Sequence, residues 1–123
     1  MKQGDVVLVP LPQANGLHKP RPAVLLKQLP PFGDWLLCGV STQLQKQTIG
    51  FDDIIKVSDP DFPSSGLKST SLIRLGFLAV LPGNFILGRI GAISQSRHLQ
   101  LIRTLAHYLM EGGEVKGSGA GPL

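Results

Sequence analysis

Two sets of side chains have the types and spacing for chemistry on an anion: the arginine of Lys19-Pro20-Arg21-Pro22, and the hydroxyl and amide run Ser41-Thr42-Gln43. Proline fixes its own φ at about −65° and holds the preceding residue extended, so Pro20 and Pro22 leave Arg21 little backbone freedom. The stretch reads as a loop that presents Arg21 at the opening of a strand. A guanidinium is permanently charged, and its planar fork of donors matches a phosphate or carboxylate. A stiffly mounted copy therefore fits anion recognition, and the competing reading is a solvated arginine at a strand end. Ser41 to Gln47 switches abruptly from an apolar run to hydroxyls and amides, which suits either a polar ligand or an ordinary polar strand end. His18 is a lone loop histidine and reads as a bystander. The paired carboxylates Asp52 and Asp53 have no third ligand at a recognisable spacing, so no metal site is expected. The chain holds no P-loop, zinc-ligand spacing, nucleophile elbow, dinucleotide fingerprint or internal repeat.

The elements that must position these groups belong to one domain, since 123 residues make one core and not two. Apolar residues at 42% and charged ones at 16% exclude a disordered chain and leave a thinly charged surface that suits a homodimer. Twelve Lys and Arg against eight Asp and Glu give a net charge of +4 and favour an anionic partner, with nucleic acid first among them. The single cysteine, Cys38, lies in an apolar run and reads as an inert core thiol in a reducing compartment. No apolar run approaches a membrane span, and Met1-Lys2-Gln3-Gly4-Asp5 lacks the apolar core of a signal peptide, so a cytoplasmic protein with no membrane partner is expected.

Along the chain, Gly4-Asp5 turns into a short strand, Val6 to Val9, that Pro10 and Pro12 end or confine to an edge. Asn15-Gly16 marks a turn. Ala23–Leu26 and Trp35–Val40 read as central strands buried on both faces. Phe51 to Val57 is a further strand, Asp59 to Pro63 a turn, and Leu67 to Leu81 an extended segment or pair. Ser94 caps a helix from about Gln95 to Met110, with Leu99, Ile102, Leu105 with Ala106, and Leu109 as its apolar stripe and Arg97, His98 and Arg103 facing water. The domain is expected to cover 1–111, and 112–123 to be a flexible glycine-rich tail.

Several ordered segments resemble the MazF/PemK family of toxin endoribonucleases: Gly4-Asp5-Val6-Val7, Arg21-Pro22-Ala23-Val24-Leu25, Val40-Ser41-Thr42-Gln43, Gly66-Leu67-Lys68 with Ser71-Leu72-Ile73, and Leu87-Gly88-Arg89-Ile90-Gly91 before the last helix. The resemblance implies a mainly β fold with a C-terminal helix, a small, strongly curved SH3-like β-barrel paired as a homodimer. It also implies cleavage of single-stranded RNA without a metal or other cofactor, and neutralisation by a cognate antitoxin. By position, Arg21 and Ser41 or Thr42 would act on the scissile phosphate, and Lys19, Gln43, Lys46 and Arg74 would bind RNA. Attack by the neighbouring 2′-OH would leave a 2′,3′-cyclic phosphate and a 5′-hydroxyl.

One stretch departs from the pattern. Where family members carry a polar Gln-Ile-Arg segment, this chain reads Gly76-Phe77-Leu78-Ala79, with neither amide nor guanidinium. Arg74 or Arg89 is then the available replacement for a phosphate contact. The same departure supports an alternative, a non-catalytic module that grips nucleic acid or a peptide, and a third reading is an interaction domain in which the arginine is incidental.

Overall fold

Six strands form one antiparallel sheet in the computed structural model, which describes residues 1–12 and 16–112: β1 (Asp5–Pro12), β2 (His18–Leu29), β3 (Asp34–Ser41), β4 (Asp53–Ile55), β5 (Ser71–Leu81) and β6 (Gly88–Ala92). Their order is β4-β5-β3-β2-β1-β6. A short helix, α1 (Phe62–Ser65), and a long one, α2 (Gln95–Met110), complete the fold. The chain is mainly β with a C-terminal helix, its sheet curled into a half-barrel. Residues 13–15 of the expected turn and 113–123 of the expected tail lie outside the described residues.

The prolines do not end β1, and Arg21 is not in a loop. β1 runs on to Pro12 and β2 starts at His18, with Pro10 opposite Pro20 and Arg21 opposite Val9. The reason is the missing neighbours: β6 pairs with β1 only up to Leu8, and β3 pairs with β2 only from Ala23. Beyond those points the two strands form a two-stranded ribbon, and a proline on a ribbon's outer side removes no ladder bond.

Three register shifts, at Val6/Val7, Leu25/Lys27 and Cys38/Gly39, bend and twist the sheet. The curl yields two apolar clusters. One gathers Val24, Leu26, Cys38, Ile73 and Leu75 beneath Leu101 and Leu105 of α2, and the other gathers Val7, Val9, Leu25, Trp35 and Leu37. Burial pushes the Cys38 thiol up to about 12, so it is inert, in line with the sequence reading.

The stretch after β4 reaches across to β6. Ser64 Oγ donates to the Ala92 carbonyl at 2.9 Å, and a Cβ at Gly91 would collide with backbone atoms of Ser64 and Ser65. Only glycine allows that approach. Expected strand Phe51 to Val57 shortens to β4 because Asp52 and Thr48 close a turn, Asp59 to Pro63 leads into α1, and of the expected extended segment Leu67 to Leu81 only Ser71–Leu81 is strand, the single β5.

Helix α2 begins where expected, with Ser94 Oγ accepting the Arg97 N–H at 3.1 Å. Its inner face differs from the expected stripe. His98, Leu101 and Leu105 are buried, Ile102 is half-buried, and Leu99 and Leu109 are 45% and 68% exposed. Residues 98, 101, 102 and 105 follow the i, i+3, i+4, i+7 spacing, and a histidine can hold an inner position when its polar atom is met. His98 Nε2 lies 2.8 Å from the Leu26 carbonyl oxygen. Arg103 is exposed as expected, but Arg97 is not.

Candidate active site

The geometry starts from an irregularity in β5. Gly39 pairs with Arg74 and Cys38 with Leu78, so Leu75, Gly76 and Phe77 bulge out with no residue opposite them. A bulge strands backbone donors, and the Leu75 N–H is met by Asp52 Oδ1 at 2.9 Å. The other oxygen of Asp52 accepts the Thr48 N–H, also at 2.9 Å, which ties the 48–52 turn to the bulge. Asp52 is therefore an acceptor for backbone rather than half of a carboxylate pair.

The bulge sets Phe77 over Gly39, where a Cβ would stand 3.5 Å from the ring. The Arg74 guanidinium carbon lies 5.7 Å from the centroid of that ring. Arg74 Nε is buried and has no hydrogen-bond partner among the described residues.

Beside this pair opens a cleft of about 420 Å³. It brings together Arg21 from β2, Ser41, Thr42 and Gln43 from the end of β3, Lys46 from the 3₁₀ turn Leu44–Lys46, and Arg74 from β5, over a floor of Leu11, Gly39, Val40 and Phe77. Among the described residues three cations line the cleft and no carboxylate does. Lys19 does not line it. It stands two residues from Arg21 on the outer ribbon, opposite Leu11. His18 is likewise absent from the lining.

The two hydroxyls differ. Ser41 Oγ accepts the Gln43 N–H at 3.0 Å and so shapes the turn that follows β3, whereas Thr42 stands exposed at that turn. Arg21 is exposed on the ribbon.

Elsewhere most of the described aspartates are engaged. Arg97, expected in water, is 14% exposed and joins Asp53 at 2.7 Å, Asp59 at 2.8 Å and Asp61 at 2.9 Å. Its hydrogen bonds bring the Asp61 carboxyl down to about 2, burial opposing them. For Asp59 the Lys56 N–H, against some desolvation, leads a shift in the same direction. Burial works against the charge of Arg97, and Asp61 and Asp53 outweigh it, so its guanidinium titrates even higher than usual. Arg89, one of the two candidate replacements for a phosphate contact, lies 3.0 Å from the buried Asp5 carboxylate, and it does not line the cleft. Burial raises Asp5, but the Lys2 N–H and Arg89 together hold it below the ordinary range. Among the described residues no three His, Cys, Asp or Glu side chains gather as metal ligands, and no helix is long and apolar enough to cross a membrane.

Sequence reasoning named six of the ten lining residues and missed Leu11, Gly39, Val40 and Phe77. A glycine inside the apolar run of β3 was the available signal, since it marks a close approach by another group.

A family model described as PemK-like, MazF-like toxin of type II toxin-antitoxin system matches residues 2–109. The Mycobacterium tuberculosis toxin MazF-mt6 has a similar structure, with a TM-score of 0.63 and 14% identity, over 85% of this chain and 95% of that one. So does an endoribonuclease in complex with its cognate antitoxin from a mycobacterial species, with a TM-score of 0.66 and 14% identity, over 90% of this chain and 96% of that one. No curated protein matches the chain.

Proposed function

The chain belongs to the PemK-like, MazF-like toxin family of type II toxin–antitoxin systems, and on that premise we propose that it is an endoribonuclease that cuts single-stranded RNA in the cleft between β2, β3 and β5. The observation that carries the reading is the meeting of Arg21, Lys46 and Arg74 with Thr42 in one cleft that no carboxylate of the described residues lines. Such a lining attracts a polyanion and repels none of its phosphates.

The reaction needs positioning and charge stabilisation more than an activated water. The 2′-oxygen forms a bond to the adjacent phosphorus, the bond from phosphorus to the 5′-oxygen breaks, and the products are a 2′,3′-cyclic phosphate and a 5′-hydroxyl. The 2′-OH proton leaves as the bond forms, and the departing 5′-oxygen takes one up. Arg21 stabilises the charge on the phosphorane oxygens, a role worth on the order of 10²–10³ in rate for one well-aimed donor. Thr42 is the hydroxyl assigned to the phosphate or the 2′-OH, because Ser41 Oγ is already an acceptor within its own turn. Gln43, Lys46 and Arg74 hold flanking phosphates or bases, and Lys19 contacts RNA where it leaves the cleft along the ribbon.

The same reading takes a cognate antitoxin as the partner that neutralises the protein in the cytoplasm, and a homodimer as its working form. Exposed Leu78 and Val80 on β5 and Leu99, Leu109 and Met110 on α2 support an apolar interface. The test is cleavage of a mixed RNA pool by pure protein in the presence of a chelator, with the ends analysed. Cyclic phosphate ends that disappear in Arg21→Ala are expected. Intact RNA that is nonetheless bound in a salt-sensitive way would leave a binding module instead.

A further inference from the structure

We propose that Phe77 is a positioning residue for RNA: its ring holds the Arg74 guanidinium at the cleft in place of an acidic partner. The inference rests on the reading of the cleft as an RNA site. It adds a role for the residue at which the chain departs from the family's polar pattern.

An arginine side chain has many rotamers, and one that grips a phosphate must be held in advance or lose binding energy in ordering. A carboxylate would hold it and neutralise it at once. Among the described residues Arg74 has no ion-pair partner, and its Nε is buried without a hydrogen bond. What it does have is the Phe77 ring, 5.7 Å from its guanidinium carbon. That ring is held where a Cβ on residue 39 would meet it at 3.5 Å, and it packs on the cluster around Leu25, Trp35 and Leu37. An aromatic face attracts a cation and fixes its plane but occupies none of its N–H donors. The terminal nitrogens thus stay available for the bidentate contact that phosphate offers.

The bulge supplies the geometry. In an uninterrupted ladder Phe77 would pair across to β3 as its neighbours do, whereas the three unpaired residues Leu75 to Phe77 bring the ring onto Gly39, the residue opposite Arg74. Lysine at 74 would be a poor substitute, since a compact ammonium lacks the planar face that stacks.

The experiment measures the affinity of wild type, Phe77→Leu, Phe77→Tyr, Arg74→Ala and the double variant Phe77→Leu/Arg74→Ala for a labelled 2′-O-methyl oligoribonucleotide pool. This probe cannot be cleaved by attack of a 2′-OH. Phe77→Leu is expected to weaken binding about five-fold, and Phe77→Tyr, which keeps the π face, to recover most of the loss. In the Arg74→Ala background Phe77→Leu should weaken it no further. Melting temperatures are recorded throughout, and Phe77→Met replaces Phe77→Leu if the latter does not fold. Equal losses in both backgrounds, or a Tyr variant as weak as the Leu variant, would overturn the positioning role. In cleavage assays with chelator the Phe77→Leu change should appear in KM more than in kcat. If wild type binds the probe with the expected coupling but cuts no RNA, the positioning role stands and the nuclease reading falls. If wild type cuts RNA but does not bind the probe, the positioning role falls and the nuclease reading stands; if it does neither, both fall.

Discussion

Arg97 and Arg74 are both partly buried arginines, yet their surroundings are opposite. Three aspartates converge on Arg97 from β4 and the stretch before α1, closing the C-terminal helix onto the sheet. Arg74 meets a phenylalanine, and the cleft it lines contains Arg21 and Lys46 but no acid among the described residues. In a chain with only eight acidic residues this segregation decides what each cation does. The first region uses charge to lock elements together, and the second gathers positive charge along an open cleft, where it can attract an anion.

The contrast can be broken at either end. Arg97→Ala should have the largest effect, a loss of about 3 kcal/mol in stability by denaturant unfolding, because it leaves Asp61 buried beside two other carboxylates. The cleavage rate per folded molecule should stay the same. Arg21→Ala should do the reverse, lowering RNA cleavage by about 10² with a much smaller effect on stability than Arg97→Ala, since Arg21 is exposed on the ribbon. If each variant changed both quantities alike, the division of labour would be wrong.

Acid probes the first region without mutation. The folded Asp61 carboxyl sits near 2, below its ordinary 3.8, so its contribution is complete above about pH 4 and lost as pH falls toward 2. About 2 kcal/mol should disappear over that window in an unfolding series, and Asp61→Asn should flatten much of the slope. The smallest effect sharpens the second region: Thr42→Val should slow cleavage about ten-fold and leave stability unchanged, a size typical of one lost hydrogen bond to a charged group. Ser41→Ala should instead lower the melting temperature slightly, because its oxygen holds the Gln43 N–H. An exchange of those two outcomes would reassign the functional hydroxyl.

What the sequence carried and what it did not follow one physical divide. Ser94 and the residues after it specify a helix through local chemistry, and the runs Ala23–Leu26 and Trp35–Val40 specify buried strands through composition, so these elements were legible. Arg21, Ser41 and Thr42 were legible too, because their types and order survive in the text of the chain. The inner face of α2 was misread because hydropathy ranks Leu99 and Leu109 above His98, and only tertiary structure supplies the Leu26 carbonyl that makes a buried histidine acceptable. Arg97 looked solvated for the same reason, as its aspartates lie 36 to 44 residues away. The bulge at Leu75 to Phe77 is a matter of register between strands far apart in sequence, so the meaning of Phe77 as a ring beneath a cation could not be seen from its neighbours alone.

The ribbon that carries Arg21 has a consequence for the protein's behaviour in company. An exposed pair of strand edges is ordinarily a template on which another chain can add a strand. Pro10 and Pro20 face each other and can exchange no hydrogen bond, so by the alternation of an antiparallel ladder the outward-facing backbone nitrogens on this arm, among the described residues, are those of Pro10, Pro12, Pro20 and Pro22, with His18 at its far end. The proline nitrogens bear no hydrogen, which leaves His18 as the one donor among them. The ribbon therefore shows the surroundings a row of acceptors with few matching donors, which gives a neighbouring copy little to zip onto. The residues that stiffen the mount of the arginine also keep the protein from polymerising through it.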